Sequence, residues 1–383
     1  MGSSKKYQTE YLVLGLGAMG SAALYQLAQR GLAPLGIEQF PIGHALGSSG
    51  GQSRVFRTFY HDPLYTTLAE AALPLWRALE NRSGEEILTL CGNLIFAQEG
   101  NAEFAQNLEV LHALHSPYEL LSKSAVSARF PAIQLPAHAV ACFVPRSGFL
   151  HATRAVQTHV AQAQHLGATV HTGVTVQGID LSGERPVVET TAGRYSCERL
   201  IVTPGPWASQ MLAAVGLGEL AQELRVTRQQ KFYFQPAQPA LFRPDRLPVY
   251  CDYDHNFYGF PLHGPGLKVA DDNLGMVTNP TTVERSLDLA KRDELHAWLD
   301  RLMPAANFTY VEGSTCLYTL TPDRDFLLGP HPHHANTIIG AGFSGHGFKF
   351  SAIVGNLLAE LALGQSPSQP LERFRLERLQ PQK

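Results

Sequence analysis

Hydrophobic residues along the chain follow two periodicities. Tyr11 to Leu14 is an unbroken apolar run that ends in glycine, as suits a short strand buried on both faces of a parallel sheet. Gly15-Leu16-Gly17-Ala18-Met19-Gly20 follows, and then Ala22, Leu24, Leu27 and Ala28 recur at helical spacing up to a stop at Gly31. Leu35 to Ile37 predicts a second short strand with Glu38 at its end. A helix is predicted over 65–80, where Leu68, Ala72, Leu75, Trp76 and Leu79 share a face. Residues 91–98 and 139–145 read as strands with a helix near 101–115 between them, 151–166 as a helix, 168–176 as strands and 200–203 as a buried strand. The texture changes over 225–234 and 247–260, whose aromatic and β-branched residues suit antiparallel strands. A charged helix near 283–301 follows, then short strands, a glycine-rich turn and a helix over 350–363.

The first strand, the Gly15-x-Gly17-x-x-Gly20 turn, the helix it opens and the acid Glu38 at the next strand's end together form a dinucleotide-binding fingerprint. Gly15 makes the tight turn, Gly17 lets the backbone approach a pyrophosphate and Gly20 lets helix and strand pack closely. The helix N-terminus offers unpaired N–H groups and partial positive charge to the phosphates, and Glu38 can accept from a ribose. Nicotinamide and flavin cofactors share this pattern. Because the α/β texture is interrupted twice and resumed twice, the expected fold is α/β. A discontinuous Rossmann-type domain from 1–90, 146–216 and 312–383 would be interleaved with a mostly antiparallel β substrate domain from 91–145 and 217–311.

Composition narrows the function classes. With 30 Lys and Arg against 33 Asp and Glu, the net charge of −3 argues against a nucleic-acid partner. No apolar run nears the roughly 18 residues of a membrane-spanning helix. The opening MGSSKKYQTEY has no signal-type apolar stretch, and Lys6 stands where a myristoylation signal requires Ser or Thr. MGSS reads as a cloning remnant and the closing QPQK as a frayed end, in a cytoplasmic protein. The 5 cysteines are an odd, widely spaced set without a CxxC pair, so neither a disulfide framework nor a cysteine zinc site is expected. His331, His333 and His334 lack helical i, i+4 spacing and a carboxylate or cysteine co-ligand, and no metal is expected there.

The segment Gly340 to Ser351, GAGFSGHGFKFS, sets four glycines within eight residues before a helix, against something large and flat. Thr319-Leu320-Thr321-Pro322-Asp323 lies about twenty residues earlier, with Cys316 just before it. Together with GLGAMG, Gly47-Ser48-Ser49 through Ser53-Arg54, Pro204-Gly205-Pro206-Trp207, Phe257-Tyr258-Gly259-Phe260-Pro261 and Gly266-Leu267-Lys268, the chain closely resembles the monomeric sarcosine oxidase family of flavin amine oxidases. That family includes N-methyltryptophan and pipecolate oxidases and belongs to the wider D-amino-acid oxidase group. The resemblance implies FAD held by Gly15, Gly17, Ala18, Met19, Gly20, Glu38, Gln39, Ser48, Ser49, Arg54, Val174, Gly342, Gly345, His346, Gly347 and Lys349, and attached through its 8α-methyl to Cys316. A thiolate can add there once a cationic environment favours it. Taken alone, Cys316 reads as a small buried core residue.

The resemblance also implies catalytic roles. Lys268 would lie near flavin N5 and stabilise the charge that develops when O2 is reduced; the alternative is a surface lysine. Arg57 and Lys349 would hold a substrate carboxylate, by a bidentate fork and a point charge; either could sit in an internal ion pair instead. Lys349, between Phe348 and Phe350, is a charge that needs a partner. Tyr258 and Tyr318 would wall the substrate cavity, or pack in the core with satisfied hydroxyls. The implied reaction passes a hydride from the carbon beside an amine to flavin N5, giving an imine that hydrolyses, with O2 reduced to hydrogen peroxide, in a monomer acting on a small amine or amino acid. Two positions depart from the sarcosine and N-methyltryptophan oxidases: Gly50 and Asp272 stand where those have histidines. Asp271 or Asp272 would then contact a polar or cationic part of the substrate, or be a solvated turn carboxylate. Competing readings are a flavin dehydrogenase with another electron acceptor, a fructosyl-amine oxidase of the amadoriase type, a nicotinamide-dependent dehydrogenase and a non-catalytic dinucleotide-binding regulator.

Overall fold

The computed structural model describes residues 5–379; MGSS and QPQK at the two ends lie outside the described residues. One sheet has eight strands. Its centre is Lys6–Leu14, parallel to Gly193–Val202 on one side and to Leu35–Glu38 on the other, with Thr169–Thr172 beyond the latter and His334–Ala341 parallel to Val202's strand. Only Tyr11–Leu14 of the first strand is buried, and its leading half alternates between exposed and half-buried. The apolar pattern therefore reveals the buried half alone.

Helices Ala18–Gln29, Ala152–His165 and Ser351–Ala362 cover one face of this sheet, packing Leu24, Val156 and Leu357 into one core. Gly355 lets two of them touch: a Cβ there would lie 2.5 Å from the Cβ of Ala22. The other face packs on the short helices Ala208–Ala214 and Gly218–Glu223.

The second sheet has nine strands and is antiparallel except where Val249–Asp252 runs parallel to Asn93–Gln98. Arg225–Gln235 lies between Gly266–Asp271 and the 12-residue strand Thr309–Leu320. Polar residues in Glu312-Gly313-Ser314-Thr315 hide the length of that strand from a reading by apolar runs. The boundary drawn at 311/312 falls inside it, and its pairing joins it to the nine-stranded sheet throughout. Phe232 and Phe234 pack on helix Leu289–Leu302 through Leu295, Trp298 and Leu299. Strand residues of the opposite parity, 229, 231 and 233, therefore face the other way. The charged helix starts six residues later than the predicted 283, because the Asp288 carboxylate caps it by accepting from the N–H groups of Ala290 and Lys291.

A small third sheet pairs Arg54–Phe56 and Leu88–Thr89 with Gly148–Leu150. It fixes the segment between the large sheets from which Arg54 and Arg57 extend. The glycine-rich turn is tied to the end of the strand carrying Cys316, where Ser344 N–H donates to Thr319 O at 2.9 Å. Among the described residues no helix is long and apolar enough to cross a membrane.

Candidate active site

Gly15 has φ +82° and donates its N–H to Ile37 O at 2.9 Å, so the turn closes on the next strand. A Cβ on Gly20 would stand 1.9 Å from Gly15 O, which no side chain can do. Helix Ala18–Gln29 has no cap from Gly17 itself and no acid in its first turn. Ala18 N–H donates to Ser49 Oγ, and the cavity beside it is lined by Gly15, Gly17, Ser48, Ser49, Glu38 and Gln39. Uncapped N–H groups, a glycine floor and hydroxyls suit a pyrophosphate. Glu38 accepts from the N–H groups of Leu16 at 2.8 Å and Phe40 at 3.1 Å, which orients the glycine turn. A carboxylate has about four acceptor sites, so capacity remains for a ribose. Val174 and Trp207 form the far wall.

Two further cavities continue from this one. The middle cavity shares Gly17, Ser48 and Ser49 with the first and adds Ala18, Met19, Gly342 and Gly347. It shares Arg54, Tyr318, Gly345 and Phe348 with the third. The result is one trough from Glu38 to Cys316, which fits an extended dinucleotide with a flat ring system at the second end. Arg54 braces it by donating to the carbonyls of Ser48, Gly50 and Ser53. Gly50 is required by its surroundings, since a Cβ would lie 2.5 Å from His44 O.

The third cavity gathers the residues singled out for chemistry. Register builds it: Gln229 opposes Cys316, Tyr233 opposes Lys268, Lys231 opposes both Ser314 and Ala270, and Tyr258 opposes Ala270. Lys268 is 3% exposed, donates to Ser53 O at 2.6 Å and lies 3.7 Å from the Phe260 ring centroid. Burial first, then Arg54 and Lys231, push its pKa well below the ordinary lysine range.

Across the cavity, Lys349 is 5% exposed and donates to Tyr60 Oη and His346 O, each at 2.8 Å. Arg57 donates through one terminal nitrogen to Tyr253 Oη at 2.5 Å and Phe59 O at 3.4 Å. Among the described residues its other nitrogens have no hydrogen-bond partner. Both cations meet Tyr60: Arg57 lies 4.5 Å from the ring centroid, and Lys349 sits at the hydroxyl edge. Burial and then Arg57 push the Lys349 pKa well down, against the pull of Asp272.

The two adjacent aspartates part company. Asp271 pairs with Lys291 at 3.0 Å, outside the cation pair. Asp272 is exposed and lines the cavity; desolvation raises its pKa against Arg57, Arg324 and Lys349. Tyr258 and Tyr318 line the cavity, and burial pushes both phenols up. His346 also lines it; burial first, then Lys349, hold the ring neutral, with Nδ1 lacking a partner among the described residues. His331 bonds Val215 O and His333 N–H, and no group of three candidate ligands that could hold a metal occurs among the described residues.

Several cavity residues escape a sequence reading. Tyr60 and Tyr253 orient the two cations, and Glu103 reaches the cavity from the helix Ala102–Ala113. Lys231 did carry a signal, as a lysine on the strand parity opposite to Phe232 and Phe234.

Residues 10–361 match the family model described as DAO, FAD dependent oxidoreductase. The chain is 34% identical over 376 residues to the monomeric sarcosine oxidase of Bacillus sp. strain B-0618, covering 96% of each, and 31% identical to human peroxisomal sarcosine oxidase, covering 98% and 97%. It is 27% identical to the N-methyl-L-tryptophan oxidase of Citrobacter koseri, over 96% and 98%. The fold matches the open form of NikD, an amino acid oxidase of nikkomycin biosynthesis, with a TM-score of 0.83 at 24% identity over 96% and 97%. It also matches L-proline dehydrogenase from P. horikoshii, with a TM-score of 0.85 at 21% identity over 98% of each chain. With a glycine-floored trough that suits FAD and a family match spanning most of its length, the chain belongs to the DAO family of FAD-dependent oxidoreductases.

Proposed function

We propose that this enzyme oxidises a secondary or N-methyl amino acid, or a related amine bearing a carboxylate, at the carbon beside nitrogen. Arg57 and Lys349 carry the reading: a half-buried guanidinium over the Tyr60 ring and a buried ammonium on the same tyrosine's hydroxyl, with donors left for an anion. Arg57 offers its unused fork to the carboxylate and Lys349 its charge. Tyr258 and Tyr318 wall the amine's side of the cavity, and Asp272 takes the nitrogen or another polar part of the substrate. Positive charge close by favours the neutral, reactive amine.

FAD supplies the hydride acceptor, and its reoxidation by O2 yields hydrogen peroxide. The trough residues from Gly15 to Glu38, with Gln39, Ser48, Ser49 and Val174, hold its adenosine and pyrophosphate end. Gly342, Gly345 and Gly347 let its flat end approach, and Cys316, half-buried in the third cavity, is the covalent attachment point. Lys268 provides fixed positive charge where oxygen gains electrons. Blocks 1–90, 146–216 and 312–383 would form the FAD-binding unit and the remaining blocks the substrate unit, with the strand Thr309–Leu320 paired into the substrate unit's sheet, in a cytoplasmic monomer whose cysteines other than Cys316 remain thiols.

Peroxide yield per amine consumed under air tests the oxidase reading. One peroxide per turnover supports it. Substrate consumption that requires a quinone or dye and releases no peroxide would make the protein a dehydrogenase.

A further inference from the structure

One buried cation remains without a task. Lys231 is 8% exposed on Arg225–Gln235, the strand paired with the one that carries Cys316, and among the described residues its ammonium has no hydrogen-bond partner. The ammonium opens on the cavity instead of lying sealed in the core, so it can act on what lines that cavity. Its side chain lies on the cavity face, as its parity relative to Phe232 and Phe234 requires, and lines the same cavity as Cys316 and Lys268.

Cys316 stands directly opposite Gln229, two residues from Lys231 on the same face of an antiparallel pair. Such diagonal neighbours lie about 7–8 Å apart at the backbone, within reach of a long side chain. The Lys231 chain runs toward the 48–54 turn, where a Cβ on Gly51 would be 3.8 Å from Nζ. Arg54 braces that turn and Lys268 bonds within it, and both line one cavity with Lys231 and the half-buried Cys316. Burial lowers the pKa of Lys231; among charges that favour its ammonium Cys316 ranks first, ahead of Glu312, while Arg54 and Arg285 oppose it.

We propose that the Lys231 ammonium supplies the positive charge that stabilises Cys316 as a thiolate, which prepares the sulfur for attachment to the flavin. The proposal rests on the reading that Cys316 is the attachment point. The thiol proton leaves to water, and the ammonium balances the charge left on Sγ. In the attachment that follows, Sγ gains a bond to the 8α carbon. One hydrogen of that methyl group and the former thiol hydrogen leave with two electrons, which reduce O2 to H2O2.

The test has two readouts besides activity. The first is alkylation by iodoacetamide at pH 8 in full-length protein produced without riboflavin, followed on the tryptic peptide from Leu302 to Arg324, in which Cys316 is the one cysteine. Lys231→Met should slow it about tenfold, and Lys231→Arg, which keeps the charge, should restore most of the rate. The second is the share of flavin that stays with acid-precipitated protein, which should fall in Lys231→Met and recover in Lys231→Arg. Equal alkylation rates in wild type and Lys231→Met overturn the proposal. If wild-type flavin is wholly released by acid, the attachment reading fails instead, and the alkylation comparison still decides whether Lys231 activates the thiol. Circular dichroism of Lys231→Met identifies a folding defect; in that case Lys231→Gln takes its place in both readouts.

Discussion

The Lys268 ammonium lies 3.7 Å from the centre of the Phe260 ring while it donates to the carbonyl of Ser53. Held between a π face and one carbonyl, it is positioned but not neutralised, since among the described residues no carboxylate is bonded to it. Lys268→Met should slow reoxidation of the reduced enzyme by O2 by roughly 10²-fold or more and leave anaerobic reduction by substrate within a few-fold. Because burial lowers the Lys268 pKa, its charge is present at low pH and is lost as pH rises through that lowered value. Wild-type reoxidation should therefore decline toward high pH and the variant's should not. Stopped-flow absorbance over a pH series checks both; a variant with the same pH slope as wild type would count against the role.

Arg57 and Lys349 should act on binding. Lys349→Met removes one cation from the Tyr60 pair and should weaken substrate binding by about 2–5 kcal/mol. Arg57→Lys keeps charge but loses the fork, so it too should raise KM strongly. An amine without a carboxylate should be equally poor with wild type and variants. Initial rates across such a matched pair provide the measurement.

The amino-terminal fingerprint was legible because everything it needs is local: Gly15, Gly20 and Glu38 sit within two strands and a helix. Lys349 was legible for another reason, as a charge in an otherwise apolar run. Legibility ended where sheet register decides. Lys231, Cys316 and Lys268 are far apart along the chain and meet only because Arg225–Gln235 pairs on both sides. Tyr60 and Tyr253 show no pattern of their own, since loop geometry brings each hydroxyl to its cation. Asp271 and Asp272 look alike in sequence, and only the Lys291 ammonium tells them apart.

Asp272 should set substrate choice. Its raised pKa, caused first by desolvation, fits a carboxylate that gains from a cationic partner in the cavity. Asp272→Asn should reorder kcat/KM among sarcosine, proline, pipecolate and N-methyl amino acids. An unchanged order would remove Asp272 from substrate recognition.

His159 predicts an acid limb of stability. The ring is buried between Tyr25 and Trp76, and burial alone pushes its pKa down to about 3. In the unfolded chain it titrates near 6.5. Between those values the unfolded state holds the extra proton, so the contribution is full above about pH 6.5 and falls as pH drops toward 3, by about 2 kcal/mol at pH 5. Urea unfolding at pH 7.5 and pH 5 should show a smaller loss for His159→Phe than for wild type; parallel losses would contradict this.

The most direct measurement is an anaerobic screen at the flavin absorbance. Purified enzyme is mixed with secondary and primary amino acids, N-methyl amino acids, Amadori-type amines and the matching amines that lack a carboxylate. The expected result is bleaching by carboxylate-bearing secondary or N-methyl amines and little by their counterparts without the carboxylate. Bleaching by no amine, or equal bleaching with and without the carboxylate, would contradict an amine oxidase built around Arg57 and Lys349.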